Sequence, residues 1–246
     1  ITLPNSIISI GEESFNACRA LEEINIPSSV TYDEKTYSVT GVDKFAFVNC
    51  FNLTSVTIPN TVTSIGNFAF MWCVNLTSVT IPNSVTFIGD GIFQNCEGLS
   101  SVTISDNVTS IGKGAFDGCK SLISVAIPES VTSIGKGAFE RCSGLTSVTI
   151  PKSVKSIGER VFNGCSGLTS MIVDTENKVY DSRDNSNAII ETATNTLITG
   201  CQNTIIPTSV TSIGKGAFYA CSGLTSIEIP SSVISIGESV FEGCSG

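Results

Sequence analysis

The chain has 246 residues, of which 41% are hydrophobic and 14% are charged, and its formal net charge is −9. This composition is apolar enough for a buried core, and an acidic chain with scattered Lys and Arg is not expected to bind nucleic acid. No apolar run is long enough to cross a bilayer, so no membrane insertion is predicted. Histidine is absent, which removes the commonest general base and transition-metal ligand, and no cofactor is predicted.

One 23-residue unit recurs along the chain. The cysteines from Cys50 to Cys165 are spaced 23 residues apart, and all eight prolines occupy one position of the unit. The consensus is L-x-x-V-x-I-P-x-x-V-x-x-I-G-x-x-A-F-x-x-C. A unit of this size is too small to bury its own apolar side chains. We therefore expect the units to stack, so that equivalent side chains contact one another inside a rod.

Each unit contains two short extended segments followed by a turn. In LTSVTIP, Val79 and Ile81 alternate with Ser78 and Thr80, which is the period of a strand, and the proline ends the strand. The second segment, VTFI or VTSI, leads to a glycine for which we expect positive φ. The KGAF or ESVF that follows predicts one helical or 3₁₀ turn.

These elements predict one α/β repeat solenoid over residues 1–246. A parallel sheet forms one face, and short strands with helical turns form the other. We count about ten coils, which at the spacing of neighbouring strands make a body roughly 45 Å long. No signal peptide is found, and the chain starts and stops inside a unit, so we interpret it as a fragment truncated at both ends.

The repeat resembles the 23-residue leucine-rich repeat of BspA-like, treponemal-type surface proteins of bacteria and protists. The resemblance rests on L-x-x-V-x-I-P, V-x-x-I-G and A-F-x-x-C, and it covers essentially the whole chain. It implies a right-handed leucine-rich-repeat superhelix, an extracellular or cell-surface location, and adhesion to host or matrix proteins. Because the motif describes scaffold positions only, it implies no ligand-binding residue.

The first departure from the repeat is an insertion at residues 31–38, where SVTY and TYSV flank DEK and predict a hairpin. Near it, positions that are small or polar in other units become apolar. We predict an apolar contact patch there. Its residues are Phe45, Val48, Phe51, Phe68, Met71, Trp72, Val74, Tyr32 and Tyr37. The alternative is that the hairpin or a preceding domain covers these side chains.

The outward positions of the first strand carry small hydroxyls in two columns. We predict a hydroxyl face suited to hydrogen bonds with a glycan or a peptide. Its residues are Ser55, Thr57, Ser78, Thr80, Ser101 and Thr103. The alternative is that threonine serves as a good strand former and serine as a soluble filler. An ice-ordering lattice is a remote third interpretation.

The second departure is the longest, at residues 174–201. AII and TLI flank ETATN, which predicts a second hairpin that protrudes from the coil. Its first part, residues 174–187, collects oxygen ligands that would suit calcium but lacks the order and glycine of an EF-hand loop. We interpret it as a polar loop with side-chain-to-backbone hydrogen bonds, and we predict no metal site.

The cysteines recur at one position of the unit, and a column of parallel side chains fits disulfide geometry badly. We therefore predict buried free thiols. Without histidine or a pair of converging acids, we predict no enzyme. The sequence favours a non-catalytic scaffold that recognises an extracellular protein or glycan. The alternative is a structural spacer that holds another domain away from the cell surface.

Overall fold

The computed structural model describes residues 9–32 and 34–246. Successive units stack as coils, so that residues 23 positions apart become neighbours: Val79 pairs with Val102, and Ile111 pairs with Ile134. Each coil contributes to three walls. The first wall is formed by the residues equivalent to 78–81, the second wall by those equivalent to 86–89, and the turn wall by those equivalent to 90–96.

The first wall is built from short parallel strands whose central apolar residue faces the core. These strands are Glu23–Asn25, Ser55–Thr57, Ser78–Thr80, Ser101–Thr103, Ser147–Ile150 and Ser170–Val173. The first four form one sheet and the last two another, and an isolated bridge from Ser124 to Ser147 lies between them. The sequence also predicts strands at 204–206 and 227–229, where the structure has none. At the first of these, the Ile205 amide donates to the Ser186 carbonyl of the insertion.

The second wall consists of two-residue parallel strands that end in an Ile or Val, and one longer strand from the insertion. The Ile or Val is buried except in the strand that ends at Ile157, where it is half-buried, and the strand that ends at Ile236, where it is exposed. The strands are Gly41–Val42, Ser64–Ile65, Phe87–Ile88, Ser110–Ile111, Ser133–Ile134, Ser156–Ile157, Thr196–Gly200, Ser212–Ile213 and Ser235–Ile236. The strands from Phe87 to Ile157 form one continuous sheet, which ends where the insertion begins.

The turn wall is not helical, and this corrects the α/β class that the sequence predicted. Alternate amides bond to different coils: Phe116 donates to the Ala138 carbonyl of the next coil at 2.8 Å, whereas Cys119 donates back to Phe116 at 3.1 Å. Gly114 and Gly118 have φ of 57° and 75°. Two left-handed residues per coil interrupt any helix. The amides of Gly114 and Gly118 donate, like that of Phe116, to carbonyls of the next coil. The fold is therefore a β-solenoid with leucine-rich-repeat spacing.

The glycine that ends the second wall does not have the positive φ that the sequence predicted. It is required for a different reason, the close approach of two coils. A Cβ added to Gly135 would lie 2.7 Å from the backbone of Gly112 and of Lys113 in the preceding coil. Because two backbones approach so closely, only a residue without a side chain fits. The positive φ falls two residues later, at Gly137.

The core confirms the predicted stacking of like on like. Phe93, Phe116 and Phe139 have no exposed surface, and their successive ring centroids are 5.6 and 5.3 Å apart. The cysteines are free and buried, as predicted, except that Cys18 and Cys244 are only half-buried. They also make a contact that the sequence did not reveal. The Cys142 thiol donates to the Phe116 carbonyl of the preceding coil at 3.1 Å.

The two insertions differ in how they join the coil. Ser29–Tyr32 pairs antiparallel with Lys35–Ser38, and the side chains of the second strand are exposed. Ala188–Glu191 also pairs antiparallel with Thr196–Gly200, but Ile189 and Ile190 are fully buried. The prediction that this second hairpin protrudes is therefore wrong, because its strands continue the second wall.

The second insertion also adds two elements that precede its hairpin. They are the strand Tyr180–Asp181 and the 3₁₀ turn Arg183–Asn185. The turn is the only helix of any type in residues 9–32 and 34–246, and no helix there is long and apolar enough to cross a bilayer.

Candidate binding surfaces

Three aromatic residues of the predicted patch occupy left-handed backbone positions of the turn wall. Phe45, Phe68 and Trp72 have φ of 58°, 59° and 63°, and they are the only aromatic residues at positive φ in the described part of the chain. We call these three residues the aromatic ridge. A left-handed conformation costs a residue with a side chain about 1–2 kcal/mol. The sequence shows that glycine occupies such positions elsewhere, but it does not show this cost.

The two phenylalanine rings of the aromatic ridge are half-buried and contact each other along neighbouring coils. Phe45 and Phe68 stack with ring centroids 5.3 Å apart and planes 7° from parallel. The Phe68 ring then lies over Gly91, where any Cβ would overlap it. Trp72 is 39% exposed. The equivalent positions of the neighbouring coils hold Asn49 and Asn95.

The remaining residues of the patch, apart from the hairpin tyrosines, differ in their exposure and contacts. Val48 is buried and is not available for contact with a partner. Met71 and Val74 are half-buried beside Trp72. The Phe51 ring carries the Arg19 guanidinium 5.4 Å from its centroid, which places a cation at one border of the patch.

The hairpin tyrosines lie on a different part of the coil. Tyr37 is 39% exposed, on a hairpin that follows the first wall rather than the turn wall. Within the described residues, no ring contact joins Tyr37 to the aromatic ridge. The side chain of Tyr32 lies outside the part of the chain that the structure describes.

The hydroxyl face lies on the first wall, away from the aromatic ridge. Ser55, Ser78 and Ser101 are in register across neighbouring strands, and all six predicted side chains are exposed. A shallow depression of about 430 Å³ lies over this wall, bordered by Thr57 and Thr80. The arrangement offers many hydroxyl groups and no exposed ring.

A polar column on the turn wall was not predicted from the sequence. Asp117 accepts two hydrogen bonds from the Arg141 guanidinium, at 2.9 and 2.8 Å, and one from Gln94 at 2.8 Å. Burial raises the pKa of Glu140, and the nearby Asp117 charge adds to this. Because Gln94 and Arg141 hold the Asp117 carboxylate, we assign the column a structural role. The 23-residue spacing of Asp117 and Glu140 could have indicated this column in the sequence.

The acidic segment at 174–187 uses its oxygens within the protein. Asn177 is buried, donates to the Pro151 and Val154 carbonyls, and accepts from two amides of its own loop. Glu176 pairs with Lys152 at 2.6 Å. Asp181 pairs with Arg183. In the described residues, no three acids, cysteines or histidines are grouped as a metal would require.

Comparison with known proteins identifies leucine-rich repeats by sequence and by structure. The model of the BspA type leucine rich repeat region matches six copies over residues 1–37, 40–172 and 189–246. A leucine rich cell surface protein from Faecalibacterium prausnitzii is 32% identical with a TM-score of 0.70, and the match covers 96% of this chain and 70% of that one. A leucine-rich repeat protein from Eubacterium ventriosum is 26% identical with a TM-score of 0.71, over 85% of this chain and 58% of that one.

More distant similarity shows the fold alone. The pneumococcal vaccine antigen PcpA is 17% identical with a TM-score of 0.63, over 98% of this chain and 63% of that one. No curated protein matches the chain. Since the repeat model matches most of the sequence and the coils stack as that repeat requires, this chain belongs to the BspA type leucine-rich repeat family.

Proposed function

We propose that this protein is a non-catalytic binding scaffold on or outside a cell, which recognises an extracellular protein or glycan through the aromatic ridge. The observation that carries the proposal is the backbone conformation of Phe45, Phe68 and Trp72. Nothing in the stacking of the coils requires a ring at these positions, since Gly91, Gly114 and Gly118 serve equally well. A large side chain kept at a conformational cost supports a role at the surface.

The shape of the ridge also suits a contact site. Aromatic side chains combine a large apolar area with few rotatable bonds, and they dominate the energy of interfaces. The Phe45 and Phe68 rings hold each other in place, so little freedom is lost when a partner binds. The alternative is that the first hairpin covers the apolar patch. Tyr37 of that hairpin does not support this, because it makes no ring contact with the aromatic ridge in the described residues.

The hydroxyl face supports a second, weaker contact along the first wall. Its exposed serines and threonines would add polar contacts over several coils without a single strong anchor. A partner long enough to reach both walls would gain from their rigid connection through one stack of coils.

The test uses Trp72→Asn, because Asn49 and Asn95 occupy the equivalent positions of the neighbouring coils. The purified chain is screened against arrays of matrix proteins and of glycans, and the affinity of any partner is measured for the variant. We expect Trp72→Asn to weaken binding by about tenfold or more, the usual effect of a hot-spot residue. The melting temperature should stay within a few degrees.

The matched control is Phe87→Ser, which removes an exposed ring from the second wall, where Ser110 and Ser133 stand in other coils. Equal weakening by both variants would contradict a role of the aromatic ridge. If the arrays yield no partner at all, the structural spacer becomes the better interpretation.

A further inference from the structure

The second insertion contributes a coil that is two residues too short. In regular coils, the phenylalanine that donates to the next turn wall lies five residues after the last residue of the second wall, as Phe139 does after Ile134. In the inserted coil, Leu197 pairs with Ile213, and Gly200 donates to the Ala217 carbonyl at 2.9 Å. The same connection is therefore made in three residues.

The shortening opens a cavity between the neighbouring coils. The cavity measures about 280 Å³, and its lining includes Arg160, Tyr180, Glu191, Ile198, Thr199 and Lys215. The ring of Tyr180 is held in the break, since its hydroxyl accepts from the Ile157 amide at 3.1 Å. One side of the cavity is thus apolar, formed by Tyr180, Ile157 and Ile198.

Polar groups at the cavity lack the partners that regular coils give them. The Gly137 amide donates to the Glu159 carbonyl at 2.9 Å, but in the described residues the equivalent Arg160 amide has no acceptor and the Lys215 carbonyl no donor. Main-chain donors and acceptors that the protein leaves unpaired can bond to a molecule in the cavity.

The charges around the cavity are also incompletely paired. Lys215 pairs with Glu238, and Glu159 pairs with Lys136. Arg160 and Glu191 have no ion-pair partner in residues 9–32 and 34–246. Within the same residues, the Glu191 carboxylate accepts a hydrogen bond only from the Thr194 hydroxyl, at 2.6 Å.

Arg160 is also held in an unusual backbone conformation. Its φ is 60°, at a position that Gly114, Gly137 and Gly216 occupy in other coils, and its guanidinium lies 5.8 Å from the ring centroid of Tyr219. As with the aromatic ridge, a large side chain is kept where glycine would avoid the strain.

We propose that this cavity binds a free α-amino acid with an apolar side chain. The Arg160 guanidinium and main-chain amide present donors to its carboxylate. The Glu191 carboxylate and the Lys215 carbonyl present acceptors to its ammonium group. Its side chain lies against Tyr180 and Ile198, and the volume of the cavity fits one such molecule. The site is separate from the aromatic ridge and does not depend on the function proposed above.

The test is isothermal titration calorimetry of the full chain with leucine, leucinamide and N-acetyl-leucine. Leucine should bind, and each capped compound should bind about tenfold more weakly or worse, because each has lost one charge-assisted interaction. Arg160→Gln should weaken leucine by a similar factor but change leucinamide little, since leucinamide has no carboxylate. Glu191→Gln should weaken leucine and spare N-acetyl-leucine in the same way.

Lys113→Gln serves as the control, because it removes an exposed cation from the column of Lys215 in a regular coil. It should leave leucine binding unchanged, and melting temperatures would confirm that the variants are folded. Failure of leucine to bind the folded chain would overturn the proposal. So would leucinamide binding as tightly as leucine, or a neutral sugar binding with an affinity that both variants leave unchanged.

Discussion

The coil around Phe68 and the coil around Gly114 have the same backbone and different surfaces. Both carry two left-handed residues four positions apart, and both bury an equivalent phenylalanine, Phe70 or Phe116. One coil places Phe68 and Trp72 at the left-handed positions, and the other places Gly114 and Gly118 there. The solenoid therefore needs a buried phenylalanine and a left-handed turn in each coil. It does not need the aromatic rings that Phe68 and Trp72 add to the surface of one region.

The largest expected effect tests the part that the two coils share. Phe116→Ala should lower the free energy of unfolding by about 3–5 kcal/mol, because it empties one place in the phenylalanine stack. Phe70→Ala should cost a similar amount, and urea denaturation measures both. Phe87→Ala, which truncates an exposed ring, should change stability by about 0.5 kcal/mol or less. A small effect of Phe116→Ala would show that the stack does not support the coil.

The next effect tests the close approach of successive coils. Gly135→Ala should destabilise by about 1–3 kcal/mol, because the added methyl group meets the Gly112 backbone, which cannot move aside easily. Gly41→Ala is the control, since its Cβ would meet only the Ser64 hydroxyl, at 3.2 Å. If both substitutions had the same small effect, the reason given for this glycine would be wrong.

A third effect concerns the buried thiols, which both kinds of coil contain. Burial raises the pKa of Cys165 from 9.0 to about 12. In the unfolded chain the thiol loses its proton near pH 9, whereas in the folded chain it keeps the proton. Its contribution to stability is therefore complete below pH 9 and is lost as the pH rises towards 12, by at most about 1.4 kcal/mol per pH unit.

The measurement for Cys165 compares unfolding free energies of the native chain and Cys165→Ala at about pH 8 and about pH 10. The native chain should lose more stability than the variant over this interval. Equal losses would mean that the thiol is not protected from solvent.

The smallest effect on stability tests the difference between the two coils directly. Trp72→Asn should leave the unfolding free energy unchanged or raise it by up to about 1 kcal/mol, because asparagine tolerates the left-handed conformation better than tryptophan. Thermal and urea denaturation both report the change. A loss of several kcal/mol would show that Trp72 is needed for packing and would contradict a cost of its left-handed backbone.

The period made much of the fold predictable. When Phe, Cys and Pro recur every 23 residues, the sequence states which residues must touch, and the stacked rings of Phe93, Phe116 and Phe139 confirm it. The prediction of helical turns was wrong. KGAF can form a helical turn only if its glycine is right-handed, and in the structure this glycine is left-handed. Hydrogen bonds to the next coil favour the left-handed conformation. The sequence of a single unit does not show these bonds, because their acceptors lie in another unit.

The candidate surfaces were predictable only in part. The sequence placed Phe45 and Phe68 one period apart, and the structure shows them stacked, but Val48 is buried and Tyr37 lies on another side of the coil. The cavity beside Arg160 could not be predicted from the sequence, because it depends on an inserted coil that is two residues short. That length is defined only once Leu197 is paired with Ile213.

The sequence by itself determined the stack and its register, because equivalent apolar side chains can be buried only against their own copies. Tertiary structure alone decided the conformation of the turn wall, the left-handed backbone beneath the aromatic ridge, and the course of the second insertion. These features depend on hydrogen bonds between coils, whose partners are far apart in the sequence, as Phe116 and Ala138 are. No local pattern specifies such bonds until the coils are in place.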